Sequence, residues 1–150
     1  MASGTRAHSL VIAVVLGAIW PFAVAELLAF SGHMTVPLIR TAYDLGLGTS
    51  ARLLVRVIDA VLWATILGGL FGIPLGLIAR GKVIICWLAF LAALLVVNFI
   101  EAVHTQVGVG MVLLAWSIPE TWLYVIAVLA FAHCTTLFRS RQGAQRAIAP

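Results

Sequence analysis

The sequence carries very little charge. Nine Lys or Arg and five Asp or Glu residues make up 9% of its 150 residues, whereas a soluble domain has about 25% charged residues. Hydrophobic types account for 63% of the chain, and the mean hydropathy is +1.16. Because so few polar side chains cannot cover a water-soluble globule, the composition excludes a soluble enzyme domain, a disordered tail and a nucleic-acid-binding module.

Cysteine and catalytic signatures are also scarce. Only Cys86 and Cys134 occur, which excludes a disulfide scaffold. We interpret both as small apolar side chains, and His133 beside Cys134 is weak support for a metal site because no CxxC spacing accompanies it. The sequence contains no HExxH or GxSxG motif and no Ser/His/Asp set at mid-membrane depth. It therefore favours a protein that is not an enzyme and names no cofactor.

Long uncharged stretches are what the sequence does contain. Four of them have the length that crosses a bilayer, about 20 apolar helical residues. Apolar runs such as residues 88–95 do not alternate with polar residues as the strands of a membrane barrel do. The sequence predicts an all-α integral membrane protein, a four-helix bundle in one domain over residues 1–150. Its predicted transmembrane helices cover about residues 10–30, 57–79, 83–103 and 119–138.

The basic residues divide unequally between the two sides of these helices. Lys and Arg concentrate on the cytoplasmic side of membrane proteins, which predicts cytoplasmic termini and a multi-pass protein of the bacterial inner-membrane type. The side of the termini holds Arg6, Arg80, Lys82, Arg139, Arg141 and Arg146, and the outer side holds Arg40, Arg52 and Arg56. Although Ala23-Val24-Ala25 resembles a signal-peptidase site, the apolar run before it is long and contains Pro21. We therefore expect a retained signal anchor.

Two connecting segments have apolar content of their own. In the first outer loop, Thr35–Leu47 mixes apolar and charged residues and predicts a short helix in the membrane interface, ended by Gly46-Leu47-Gly48; helix 2 then begins as early as Ala51.

The segment between helices 3 and 4 is predicted to be a loop whose Met111–Trp116 stretch enters the interface or packs on the bundle. Ser117 as N-cap, Pro119 in the first turn and Glu120 at N3 predict the start of helix 4.

Small residues form a row on helix 2. Gly68, Gly72 and Gly76 recur every four residues, with Gly69 beside them and Pro74 inside the row. Small residues let membrane helices approach closely, and proline frees a carbonyl one turn earlier and kinks the helix. The row predicts either packing against helix 1 or 3 within the chain or a hinge, pore lining or seam between chains.

Polar residues gather at the outer ends of the predicted helices. If they face inward, they form a polar mouth that could hold a cation, relay protons or bind a partner. The alternatives are salt bridges, such as Arg56 with Asp59, and surface acids without a role. The candidate outer polar or ion site comprises Glu26, Arg56, Asp59, Asn98, Glu101, His104 and Glu120.

Two further patterns raise the question of a bound group. Glu101 and His104 have the Glu-x-x-His spacing of di-iron carboxylate bundles, but those bundles need the motif twice, so a metal site of Glu26, Glu101, His104 and Glu120 is a weak candidate. Trp20 and Trp63 lie deep in the predicted helices, where each indole needs a partner. They predict ordinary helix packing or, alternatively, contact with a lipid, quinone or pigment.

Three functions follow from these patterns. The leading hypothesis is a small non-catalytic accessory, assembly or modulatory subunit that lies in the lipid bilayer and associates with itself or a larger membrane protein. The alternative is a homo-oligomeric channel or transporter with the outer carboxylates at its mouth. The second alternative is a membrane metalloenzyme that uses Glu101 and His104.

Overall fold

The computed structural model describes residues 2–46, 48–79, 82–105 and 109–148, which form helices joined by short turns. Arg80 and Leu47 lie outside the described residues. The helices are α1 (Ala2–Asp44), α2 (Gly48–Leu67), a π-helical turn (Gly68–Gly72), α3 (Ile73–Ala79), α4 (Val83–His104), α5 (Val109–Ser117) and α6 (Pro119–Ile148).

Four segments of the described chain are long and apolar enough to cross a membrane. They are Ala7–Thr41, Arg52–Ala79, Val83–His104 and Pro119–Gly143. The prediction of an all-α protein is therefore confirmed for the described residues, as is the prediction of four segments long and apolar enough to cross a membrane. The second of them is made by α2, the π-helical turn and α3, which follow one another without a break.

Helix α1 runs 43 residues without interruption, past the end near residue 30 that the sequence predicts. The residues expected to form a separate interfacial helix are the last three turns of α1, which ends at Asp44 before Gly46 adopts a positive φ of 72°. Ser31 and Thr35 lie inside this continuous helix. The Thr35 hydroxyl donates to the Ser31 carbonyl, and the Ser31 hydroxyl is bound to α2.

The segment between α4 and α6 contains a helix, α5, where the sequence predicts a loop. This helix packs on both α4 and α6. Side chains of α6 donate hydrogen bonds to carbonyl groups at its end. Thr121 Oγ1 donates to the Ala115 carbonyl at 2.8 Å, and Trp122 Nε1 donates to the Trp116 carbonyl at 2.8 Å. These bonds join the end of α5 to the first turn of α6.

Helix α6 starts at Pro119, with Glu120 in its first turn. The expected N-cap is not formed by Ser117, because its hydroxyl donates to the Leu114 carbonyl of α5 at 2.6 Å. The proline at the first helical position accounts for the start, since its fixed φ suits a helix and its missing N–H would have no partner there.

The four membrane-crossing helices enclose an aromatic core. Helix α1 packs on α2 and α4, and α6 packs on α2, α3 and α4. Trp20 lies edge-on to Phe71 and Phe90, with ring centroids 4.9 and 5.5 Å away. Such edge-on pairs add about 0.5–1.5 kcal/mol to area burial. Around them the fully buried side chains are Leu67, Leu75, Leu94, Val125 and Val128.

Contacts between the helices fix their relative levels. Gly17 of α1 lies against Phe90 of α4, which runs parallel to α1. Because α4 ends at His104, its end lies at about the same height along the bundle as Ser31. Gly72 lies against Val128 of α6, which places the start of α6 near the level of Asp59. We call the region bounded by these levels the body. The 22 residues of α4 give it a height of about 33 Å, close to the roughly 30 Å of a bilayer core.

A helical hairpin extends past the body. It consists of residues 32–44 of α1 and 48–58 of α2, joined at the turn that contains Gly46. At 1.5 Å per residue it reaches about 20 Å past the ends of α4 and α6. We call it the α1–α2 hairpin, and we call the corresponding side of the body the hairpin end.

Candidate functional site

Asp59 is the centre of a hydrogen-bonded group where the hairpin meets the body. The buried Ser31 hydroxyl donates to Asp59 Oδ1 at 2.8 Å and lies 3.1 Å from Oδ2. Trp63 Nε1 donates to Oδ1 at 2.9 Å. The Thr35 hydroxyl is 3.3 Å from that of Ser31. We call these four residues the Asp59 junction. Because hydrogen bonds to a carboxylate are about twice as strong as neutral ones, the junction ties α1 to α2.

The expected ion pair between Arg56 and Asp59 is absent from the described structure. Arg56 is exposed one turn earlier on α2, and the Asp59 carboxylate is bound to Ser31 and Trp63. Tyr124 of α6 lies within electrostatic range of both Asp59 and Glu120. The junction therefore joins α1 to α2, and Arg56 does not contribute to it.

A second polar feature is a cavity between α4 and α5, which we call the α4–α5 cleft. Its volume is about 280 Å³. Asn98 and Glu101, which the sequence places on one face of α4, both line it, together with Thr105. His104 is exposed and is not among the lining residues. The remaining lining residues are Ala102, Val112, Ala115 and Trp116.

The other predicted acids remain separate from these two features. Glu26 and Glu120 are exposed side chains on α1 and α6. Within the described part of the chain, no group of three or more His, Cys, Asp or Glu side chains is arranged to hold a metal ion. A single copy thus does not bring together the metal set of Glu26, Glu101, His104 and Glu120.

The glycine row faces α6. An added Cβ atom on Gly72 would lie 2.6 Å from the Val128 carbonyl oxygen. On Gly76 it would lie 2.5 Å from the Ala132 carbonyl oxygen, and on Gly68 it would meet a ring carbon of α6 at 2.7 Å. The absence of side chains therefore allows backbone contact with α6 of the same chain, not with helix 1 or 3 as the sequence predicts.

A π-helical turn lies immediately before Pro74. Proline has no N–H to donate, so a carbonyl about one turn before Pro74 loses its usual backbone partner. The π-helical turn, Gly68–Gly72, contains the residues one turn before Pro74. Phe71, within the turn, is buried against Trp20 in the core. Gly69 is outside the close contact, because the nearest atom to its added Cβ would be a Phe131 ring carbon at 4.0 Å.

Both deep tryptophans pack inside the chain. Trp20 is in the aromatic core and Trp63 is in the Asp59 junction, and each is less than 10% exposed. Sequence reasoning missed Ser31 as the partner of Asp59 and Trp116 as part of a cleft. A hydroxyl residue level with an acid on the neighbouring helix was the available signal for Ser31. No signal was available for Trp116, because the cleft depends on how α5 folds back onto α4.

Comparisons of the chain with protein-family models, with curated proteins and with solved structures give no match.

Proposed function

We propose that this multi-pass protein is a non-catalytic accessory, assembly or modulatory subunit of a larger membrane complex. The observation that carries the proposal is the α1–α2 hairpin, which extends past the body and presents apolar side chains on both of its helices. The excess of Lys and Arg at the opposite end supports cytoplasmic termini in a bacterial-type inner membrane. The hairpin then lies on the outer side.

The apolar surface of the hairpin needs a cover. On the body, lipid chains cover exposed apolar residues, but the body alone already matches the roughly 30 Å of a bilayer core. The hairpin carries exposed apolar side chains among exposed Arg40, Arg52 and Arg56. Exposed apolar surface beyond the bilayer core suits a protein contact, and each large side chain buried there stabilises association by about 1.5–3 kcal/mol before ordering costs. The residues at least 50% exposed are Val36, Leu38, Tyr43, Leu45, Leu53, Leu54, Val57 and Ile58.

The polar groups of the body support a structural role. Ser9 Oγ donates to the Ile78 carbonyl at 2.9 Å, and Trp87 Nε1 donates to the Val125 carbonyl at 3.2 Å. Like the Asp59 junction, each of these bonds joins two helices. These polar side chains thus hold the helices of the body together.

The hairpin replaces the glycine row as the proposed contact with a partner. Since Gly72 and Gly76 already contact the α6 backbone, a larger residue there would disturb the chain itself before it disturbed an interface. A test based on Gly72→Leu would therefore report on folding. Substitutions on the hairpin leave the α2–α6 contact unchanged.

Co-purification in mild detergent at native abundance tests the proposal. We expect a stoichiometric membrane partner with the natural chain and loss of most of it with Leu38→Ala combined with Leu54→Ala. The matched control is Leu88→Ala combined with Ile126→Ala, two exposed apolar residues on the body, which should retain the partner. Equal recovery from both double variants would reject the hairpin as the contact. A closed ring of identical copies with cation flux would favour the channel alternative.

A further inference from the structure

The α4–α5 cleft has the features of a binding site for a small ligand. One wall is a polar face of α4 formed by Asn98, Glu101 and Thr105, and the other is an apolar face of α5. Ligand sites combine apolar walls with a few converging polar groups and have volumes of roughly 300–1,000 Å³. At about 280 Å³ the cleft is just below that range, so it suits one head group or a small molecule.

The polar wall is electronegative. Glu101 lies in the last turn of α4, where the helix dipole places partial negative charge. Within the described chain, no cation pairs with its carboxylate, while its backbone carbonyl accepts bonds from Thr105. Asn98 donates its amide hydrogen to the Leu94 carbonyl at 2.9 Å, which leaves its side-chain oxygen to accept. Every one of these groups favours a positively charged ligand.

The apolar wall contributes an indole that is held in place. Trp116 packs edge-on against Trp122, with ring centroids 5.5 Å apart. Trp122 Nε1 also donates to the Trp116 carbonyl at 2.8 Å, which fixes the junction of α5 and α6. An indole near a carboxylate suits organic cations, because tryptophan gives the strongest cation–π interactions.

We infer that the α4–α5 cleft binds an organic ammonium group, with Glu101 as the counter-ion and Trp116 as the aromatic contact. The cleft lies at the end of α4, at the level of the bilayer boundary. The ammonium group can therefore come from a phosphatidylethanolamine head group or from a free amine. This site is independent of the hairpin contact, since none of its lining residues belongs to the hairpin.

Calorimetric titration of the full chain in a non-ionic detergent tests the inference. The probes are ethanolamine hydrochloride and tetramethylammonium chloride, with sodium chloride at equal ionic strength as the reference. Glu101→Gln should weaken binding about tenfold or more, as expected for a charge-assisted contact. Trp116→Leu should weaken it by roughly threefold to tenfold. Glu120→Gln is the matched control, an exposed acid at the same end that does not line the cleft, and should change affinity less than about twofold.

A second measurement distinguishes the two sources of the ammonium group. Native mass spectrometry compares retention of phosphatidylethanolamine and phosphatidylglycerol by the natural chain and by Glu101→Gln. Preferential retention of phosphatidylethanolamine that Glu101→Gln abolishes identifies the lipid, whereas amine binding without lipid preference identifies a soluble amine. The inference is overturned if neither amine nor phosphatidylethanolamine binds. It is also overturned if Glu120→Gln weakens binding as much as Glu101→Gln does, while both variants keep the unfolding temperature of the natural chain.

Discussion

Ser31 of α1 donates a 2.8 Å hydrogen bond to Asp59 of α2 at the point where the hairpin leaves the body. Ser31 is buried and Asp59 is half-buried at that point. The same carboxylate accepts from Trp63 on its own helix, so the Ser31 bond is the part of the junction that couples the two helices. The hairpin's orientation relative to the body therefore depends on it.

Replacement of Ser31 by alanine should destabilise the fold measurably. It removes a hydroxyl donor to a charged acceptor, and such bonds contribute about 1.5–3 kcal/mol. We expect a matching loss in the free energy of unfolding, measured by denaturant titration in micelles. Thr65→Ala is the control, because Thr65 donates only to the Val61 carbonyl of its own helix. Equal losses for both variants would show that the Asp59 junction has no special role.

The contact of the π-helical turn with α6 predicts different outcomes at two of its glycines. Gly72→Ala should cost about 1–3 kcal/mol, because its Cβ would lie 2.6 Å from the Val128 carbonyl oxygen and backbone cannot move aside. Gly69→Ala meets nothing closer than 4.0 Å and should be neutral or gain up to about 1 kcal/mol in helix propensity. Thermal unfolding in detergent measures both. If Gly69→Ala proves the more damaging change, the assigned face of the row is wrong.

A similar pair tests the contact between α1 and α4. A Cβ on Gly17 would overlap the Phe90 carbonyl oxygen, whereas one on Gly32 would meet nothing within 4 Å. Gly17→Ala should lower the unfolding temperature by several degrees, consistent with about 1–3 kcal/mol of overpacking. Gly32→Ala should leave it unchanged or raise it slightly. An unchanged temperature for Gly17→Ala would contradict the close approach of these helices.

The membrane-crossing helices were predictable from sequence because they depend on a quantity that can be counted along the chain. Uncharged length sets the spans, and Pro119 marks the start of α6. The continuity of α1 was not predictable in this way. The sequence predicts an outer loop around Ser31 and a separate helix from Thr35, whereas the Ser31 hydrogen bond depends on Asp59 of the facing helix, which local sequence does not reveal.

The candidate sites depend on which helix faces contact one another. Sequence spacing shows which residues share a face of one helix, but not which helix lies against that face. Asn98, Glu101 and His104 are spaced three apart, which predicts one shared face of α4, and the first two of them line the cleft. Whether His104 shares their cavity depends on the position of α5, which its local pattern does not determine. The partner of Gly72 likewise depends on the order of the helices around the core.

The continuity of α1 predicts a long distance between spin labels at its two ends. For a continuous helix, spin labels at Val11 and Tyr43, both exposed, should be about 48 Å apart at 1.5 Å per residue, less a small reduction from bends at Pro21 and Pro37. Pulsed electron–electron double resonance measures this distance once the native cysteines are replaced by alanine. Labels at Val11 and Phe30 form the control pair, which lies within the body and should give about 28 Å in either case. A helix that ended near Phe30 and folded its remaining turns onto the membrane surface would shorten the first distance to roughly 35 Å while leaving the second unchanged. Because the Asp59 junction holds α1 and α2 side by side at this point, Ser31→Ala should broaden the long distance distribution and leave the control distribution as narrow as before.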